Sequence, residues 1–300
     1  MSSSSTSPSI EVAPGPWKLK ATTYTFFTFR TAKQAQMLPP SFLFSPLERA
    51  SDFAKGEALG GLGMVQVIRY SESPVGPYDE LLVVPGKYEY EASVPDKKDG
   101  MKTERRSNLR LTRIYVSTRE SCYNGRKNWN IPKHLARFSF KTLPDNSVHI
   151  SIHPYDTGSS PNEVAPAAIP FFSAVYKPIR YSPNFAMSTR WLSFLGIDGH
   201  LVQPPLPAGE GGGHQGELPS TERWCKSLPL EYSSKTSVGW WDFRRPKGNE
   251  EDALLQNEDA IASTEQSSEY ENWWPGIGGW RLGTKMEDTV IEFDVGEFWP

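Results

Sequence analysis

Apolar and polar residues alternate over several short stretches of this chain, with the two-residue period of a strand that buries one face. Met64-Val-Gln-Val-Ile-Arg-Tyr70, Leu109-Arg-Leu-Thr-Arg-Ile-Tyr-Val116, Leu135-Ala-Arg-Phe-Ser-Phe140 and Val148-His-Ile-Ser-Ile152 all follow it. Trp17 to Arg30, rich in Thr, Tyr and Phe, predicts a further strand, and Thr289 to Val295 one that closes the fold. Ser73 to Tyr78 reads as a turn, with Leu81 to Pro85 as the returning partner strand. Helical stretches are few. Thr31 to Met37 stops before Pro39-Pro40, and Pro46 to Ala58 is closed by Gly60-Gly61. Short strands separated by Pro and Gly turns predict an α+β fold, mostly antiparallel β, as a sheet or barrel with a few helices. Between two of the strands, Ser121 to His134 reads as a loop across the barrel mouth, a position that favours function.

Composition adds little to that fold and narrows the function. Of the 300 residues 37% are hydrophobic and 12% aromatic, enough for a sizeable core rich in rings. A net charge of −3 argues against a general nucleic-acid surface or an anionic-membrane surface. Cys122 and Cys225 stand far apart, without disulfide framework or metal spacing, and no stretch approaches the run needed to span a bilayer. The reading is a cytoplasmic protein with reduced thiols, with residues 1–16 a Ser- and Pro-rich leader and 17–300 a single domain. Two segments read as insertions. Pro204 to Glu222 is a Gly-rich flexible loop, and 248–272, with eight acidic residues, a surface segment.

Candidate chemistry concentrates in Asn124-Gly-Arg-Lys-Asn-Trp-Asn-Ile-Pro-Lys-His134. A lysine behind a proline, flanked by apolar residues, is a candidate amine nucleophile for carbonyl chemistry. Free lysine titrates near 10.4, so the amine must be released by desolvation or by neighbouring positive charge. Trp129, Ile131 and Leu135 offer the first, and Arg126, Lys127 and Arg137 the second. The plain alternative is that Lys133 is one more solvated lysine.

The segment Gly125-Arg126-Lys127-Asn-Trp-Asn-Ile-Pro132-Lys133-His134-Leu135 resembles the Schiff-base segment of the acetoacetate decarboxylase family, Gly-Arg-Glu, three variable residues, then Pro-Lys-Lys-Leu. Upstream, Ser73-Pro-Val-Gly-Pro-Tyr-Asp-Glu80 is similar to the family's Ser-x-x-Gly-x-Tyr-x-Glu turn, and Phe29-Arg30-Thr31 is a weaker third match. The matches cover about residues 17–145, in the family's order. The resemblance implies a β-barrel or cone, with Lys133 as the Schiff-base lysine and Glu80 as the acidic pocket residue. A keto or keto-acid small molecule would be the substrate, bound with the help of Arg126, Tyr78, His134 and Trp129. It implies no metal or organic cofactor, no nucleic-acid or membrane partner, and a homo-oligomer as in other members. Decarboxylase, aldolase and dehydratase chemistry all follow from such a lysine. Departures stand beside the matches. His134 replaces the family's second lysine, Lys127 its Glu, Val65 a second pocket glutamate, and the family's carboxylate-binding arginine falls near Thr22. A barrel that binds a small molecule without turnover is the rival reading.

Other candidates have ordinary explanations. Glu80 either moves protons at an amine or pairs with Arg69 or Arg126, and Arg126 either binds a carboxylate or holds backbone carbonyls. His149 and His153 share one strand face with no third ligand, which disfavours zinc. Trp240-Trp241-Asp-Phe243 and Trp273 to Trp280 suit hydrophobic plugs better than stacking platforms.

Overall fold

In the computed structural model the described residues are 10–95, 100–156, 164–194, 196–243 and 281–300. The first strand, β1 (Trp17–Arg30), leads into helix α1 (Ala32–Gln36). Thr31 caps that helix, its hydroxyl accepting from Gln34 N–H while the Gln34 side chain accepts from Thr31 N–H. Short helices α2 (Pro40–Leu43) and α3 (Pro46–Arg49) follow. Next come β2 (Ala58–Glu72), β3 (Tyr78–Val84), β4 (Lys87–Pro95), β5 (Met101–Leu109) and β6 (Arg113–Val116). Helix α4 (Arg119–Trp129) then precedes β7 (Lys133–Thr142), β8 (Val148–Pro154), β9 (Phe172–Pro178) and β10 (Phe185–Ser188). The order ends with α5 (Trp191–Phe194), β11 (Leu201–Gln203), β12 (Trp224–Ser227), β13 (Pro229–Asp242), β14 (Leu282–Phe293) and β15 (Glu297–Trp299).

Nine strands close on themselves in the order β1, β2, β3, β6, β7, β8, β9, β13, β14 and back to β1. Every neighbouring pair is antiparallel except β6 and β7, where Ile114 faces Lys133 in parallel register. Parallel neighbours need a crossover connection, and α4 supplies it. A smaller second sheet runs from the start of β2 through β4, β5, β11 and β12 to β15. The mostly antiparallel barrel with few helices matches the expected fold class. No helix among the described residues is long and apolar enough to cross a membrane.

Alternation along β1, β2 and β3 divides their side chains between two faces. One face carries a ring-rich cluster around Phe26, Val67, Leu81, Ile152, Tyr176 and Trp241. The other carries Leu19, Ile68, Tyr70, Tyr78, Leu82 and Ile114. Trp241 and Phe243 are buried in the first cluster, so the Trp240-Trp241-Asp-Phe243 tract is largely core, with Trp240 half exposed. Val65 lies in that same cluster.

Several expectations are corrected. Ser121 to Trp129 is helical, not a loop, because Thr118 caps its N-terminus and Asn130 ends it in the left-handed conformation at φ 53°. Its buried side chains include Asn124 and Arg126, so apolar periodicity could not reveal it. Pro46 to Ala58 is not one helix. Ser51 starts a separate single turn over Asp52–Ala54, and Gly60-Gly61 lie inside β2. At Gly60 (φ 67°) a side chain would meet Arg30 O at 2.5 Å. Leu109–Val116 splits into β5 and β6 around Arg110, whose guanidinium donates to Lys55 O at 2.7 Å.

Pro204 to Glu222 is anchored, with Leu206 and Leu218 buried and the carbonyls of Pro207 and Pro219 accepting from Arg126. Residues 10–16 of the expected leader lie against α4. Asn124 accepts from Ala13 N–H at 2.8 Å and donates to Glu11 O at 2.9 Å. Residues 1–9, the acidic segment 248–272 and the tract Trp273 to Trp280 lie outside the described residues.

Candidate functional site

The turn from α4 into β7 sets the position of Lys133. After Asn130 ends the helix, Lys133 N–H donates to Ile131 O at 2.7 Å, a three-residue turn around Pro132 that proline's fixed φ favours. Lys133 is therefore the first residue of β7, with its stem lying back along α4. A β-carbon at Gly125 would sit 2.5 Å from both Cδ and Cε of Lys133. The glycine of the Gly-Arg-Lys segment is thus the gap through which the lysine passes.

Lys133 is 4% exposed, and its ammonium lies 2.8 Å from Glu80 Oε2 and donates to Ser121 Oγ at 3.0 Å. Tyr70 donates to the other Glu80 oxygen at 3.1 Å and stacks on Tyr78, and the Tyr78 ring lies 5.2 Å from Lys133 Nζ. Burial works to lower the lysine's affinity for its proton, but the Glu80 carboxylate, and then Tyr78, hold it above its ordinary value. Burial likewise pushes the Tyr78 hydroxyl up to about 12, against the opposing Lys133 charge.

Lys133, Glu80, Tyr70 and Tyr78 line a cavity of about 1050 Å³, walled by Trp17, Leu19, Ile68, Leu82, Trp129 and Ile131 among others. Two further polar residues enter it. Gln66 donates at 3.0 Å to both Thr25 Oγ1 and Glu231 Oε2. Glu231 reaches in from β13. Its burial, with Glu80 nearby, raises its carboxyl to about 7, although the Gln66 bond works the other way. Neither residue was nominated from sequence. Glu231 lies 151 positions from Glu80, outside both matched motifs, and Gln66 sits inside a plain alternating strand.

Of the nominated residues, the structure brings Lys133, Glu80, Tyr78 and Trp129 together around this cavity. Arg126 and His134 do not join them. His134 follows Lys133 along β7 and so points to the opposite side, where its Nε2 lies 2.6 Å from Glu48 Oε2. Arg126 Nη1 lies 3.0 Å from Glu48 Oε1, and its remaining contacts are the carbonyls of Lys133, Pro207 and Pro219. Burial alone would raise the Glu48 carboxyl, but His134 and Arg126 bring it down to about 2. Of the three cations expected to loosen the lysine's proton, Arg126 is thus committed elsewhere, and Lys127 and Arg137 are exposed. The ion pairs considered for Glu80 are also absent, since Arg69 pairs with Asp79 at 3.2 Å and Arg126 with Glu48. His149 lies 3.0 Å from the Ser173 hydroxyl, His153 lies 3.0 Å from Ala167 O, and no cluster able to hold a metal occurs among the described residues.

No protein family and no curated protein matches the sequence. Solved structures do resemble the chain. An acetoacetate decarboxylase from Legionella pneumophila is 11% identical, with 96% of this chain and 88% of that one covered and a TM-score of 0.48. Another acetoacetate decarboxylase is 11% identical, with 96% and 91% covered and a TM-score of 0.49. An acetoacetate decarboxylase-like enzyme from Sphingomonas wittichii is 10% identical, with 96% and 94% covered and a TM-score of 0.48. At these identities the likeness is one of fold.

Proposed function

We propose that the protein is an acetoacetate decarboxylase-like lyase of the cytoplasm that forms a Schiff base between Lys133 and a keto or keto-acid small molecule. The observation that carries this reading is the burial of Lys133 against Glu80 at 2.8 Å in a largely apolar cavity. The reaction begins with transfer of an ammonium proton to Glu80. The freed Nζ attacks the substrate carbonyl, and the resulting carbinolamine takes a proton from Glu80 as it loses water. The iminium then accepts the electron pair of a bond to the adjacent carbon. Release of CO₂, of an aldehyde fragment or of a proton gives an enamine, so the decarboxylase, aldolase and dehydratase options share these first steps. Tyr70 holds Glu80 in place through its hydroxyl.

Borohydride trapping tests the reading. The protein is incubated with a panel of ketones, aldehydes and keto acids, reduced, and the adduct mapped by peptide mass spectrometry. An adduct on Lys133 that is lost in Lys133→Arg is the expected result. Modification scattered over surface lysines would sink it.

Binding without turnover is the second reading, and one observation favours it. Glu80 holds Lys133 as the ammonium, while Glu48 occupies Arg126, a cation that would oppose this. Lys133→Ala separates the two, because only the enzyme loses turnover while ligand affinity persists.

A further inference from the structure

The cavity's charges argue about its ligand independently of the lysine's reactivity. Among the described residues three buried ionisable groups other than tyrosine line it, Lys133, Glu80 and Glu231, and the one buried cation is already paired at 2.8 Å. A carboxylate adjoining a carbonyl at Lys133 Nζ would lie beside Glu80, with Glu231 in the same cavity and no second cation to compensate it. Burying such a charge without a partner is strongly disfavoured. Arg126, the nearby arginine that the sequence nominates for a carboxylate, lies behind β7 on Glu48 and three carbonyls. The other basic side chains lining the cavity among the described residues are Lys87, Arg190 and His200, and they stand at its outer rim. Lys87 and Arg190 are exposed, Arg190 pairs with Glu292 at 3.3 Å, and His200 lies 2.6 Å from Asp198.

A second observation says what the ligand carries. Gln66 is 2% exposed and spends its amide N–H groups on Thr25 and Glu231, while its Oε1 has no partner among the described residues. A buried acceptor left unpaired is costly, and one beside a carboxylate is suited to a ligand hydroxyl or amine. Most of the remaining wall is apolar.

We infer that the cavity selects a neutral, mainly apolar aldehyde or ketone with a hydroxyl or amine that meets Gln66 and Glu231, and rejects keto acids whose carboxylate adjoins the reacting carbonyl. This deepens the Schiff-base reading by naming its substrate class.

The test uses three probes of matched length, 4-(4-hydroxyphenyl)butan-2-one, 4-phenylbutan-2-one and 2-oxo-4-phenylbutanoate, titrated by calorimetry into the full chain. The hydroxylated ketone should bind at least about tenfold more tightly than the keto acid. Its advantage over the deoxy ketone should be about fivefold, the equivalent of one ordinary hydrogen bond, and Gln66→Leu should abolish that advantage. Glu231→Gln should bring the keto acid closer to the ketones. Equal or tighter binding of the keto acid, or a hydroxyl preference untouched by Gln66→Leu, overturns the inference. Repeating the titrations in Lys133→Met, which forms no imine, separates the two proposals. If wild type yields no borohydride adduct while the preference persists, the Schiff-base reading falls and this one stands. If adducts form with the keto acid in preference to the ketones, the reverse holds.

Discussion

Two buried ion clusters flank the start of β7, one residue apart, and they differ in what they face. Glu48, Arg126 and His134 occupy one side, with Arg126 further bound to three backbone carbonyls. Lys133 and Glu80 occupy the other, beside about 1050 Å³ of cavity and the unpartnered Gln66 Oε1. Burial is almost equal on both sides, so burial alone does not mark a site. Protein groups engage both Glu48 oxygens and every Arg126 nitrogen, which ties α3, α4, β7 and the 204–222 segment together. In the second cluster the charges border the cavity, where a ligand can exchange for a protein partner. The difference teaches that a charged motif residue is read by what remains unpaired near it.

The largest effect that would sharpen this contrast is loss of the borohydride adduct in Lys133→Arg, with little loss of stability because arginine keeps the charge beside Glu80. Glu48→Ala should do the opposite. It leaves Arg126 charged, buried and without its carboxylate, and should cost about 3–5 kcal/mol in denaturant unfolding. A cost under about 1 kcal/mol would show that the Glu48 cluster is not structural.

Gly125→Ala comes next. Alanine favours helix by about 1 kcal/mol, yet its methyl would overlap the Lys133 stem at 2.5 Å and displace the amine. A displacement of about 1 Å should slow adduct formation about a hundredfold, measured as the rate of trapping at saturating ligand. An unchanged rate would remove the glycine from the site.

The smallest expected effect concerns pH. The folded Glu231 carboxyl titrates at about 7 against its ordinary 4.5, so the folded protein binds more protons than the unfolded chain between those values. Stability from this group therefore falls as pH rises through that window, by about 1 kcal/mol per unit, and Glu231→Gln should flatten the slope. Glu48 has the opposite sign. Its carboxyl is depressed to about 2, so its contribution is present above 4.5 and is lost as pH falls toward 2. Chemical denaturation from pH 2 to pH 8 reads both arms, and a slope in Glu231→Gln equal to wild type would contradict the first.

The sequence by itself determined most of the alternating strands, Leu109–Val116 excepted, because side chains two residues apart share a face whatever lies opposite. Trp17–Arg30 was legible from end to end by its Thr, Tyr and Phe content, and the cores of β2, β7 and β8 by alternation. The short helix after Thr31 was visible too, since Pro39-Pro40 stops it locally. The two motifs marked Lys133 and Glu80, and their pairing followed from strands β3, β6 and β7 lying side by side.

Only the tertiary structure decided the rest. Helix α4 buries Asn124 and Arg126 against partners more than 70 residues away, so no apolar period announces it. His134 and Arg126 share the motif with Lys133, but strand alternation and Glu48 turn them from the cavity. Glu231 enters the cavity because barrel closure carries β13 to Gln66, 165 positions earlier in the chain. Local residue order sets which way a side chain points. Which charges share a low-dielectric space is set by contacts between distant segments, and those contacts fix the charge and hydrogen bonding of the cavity.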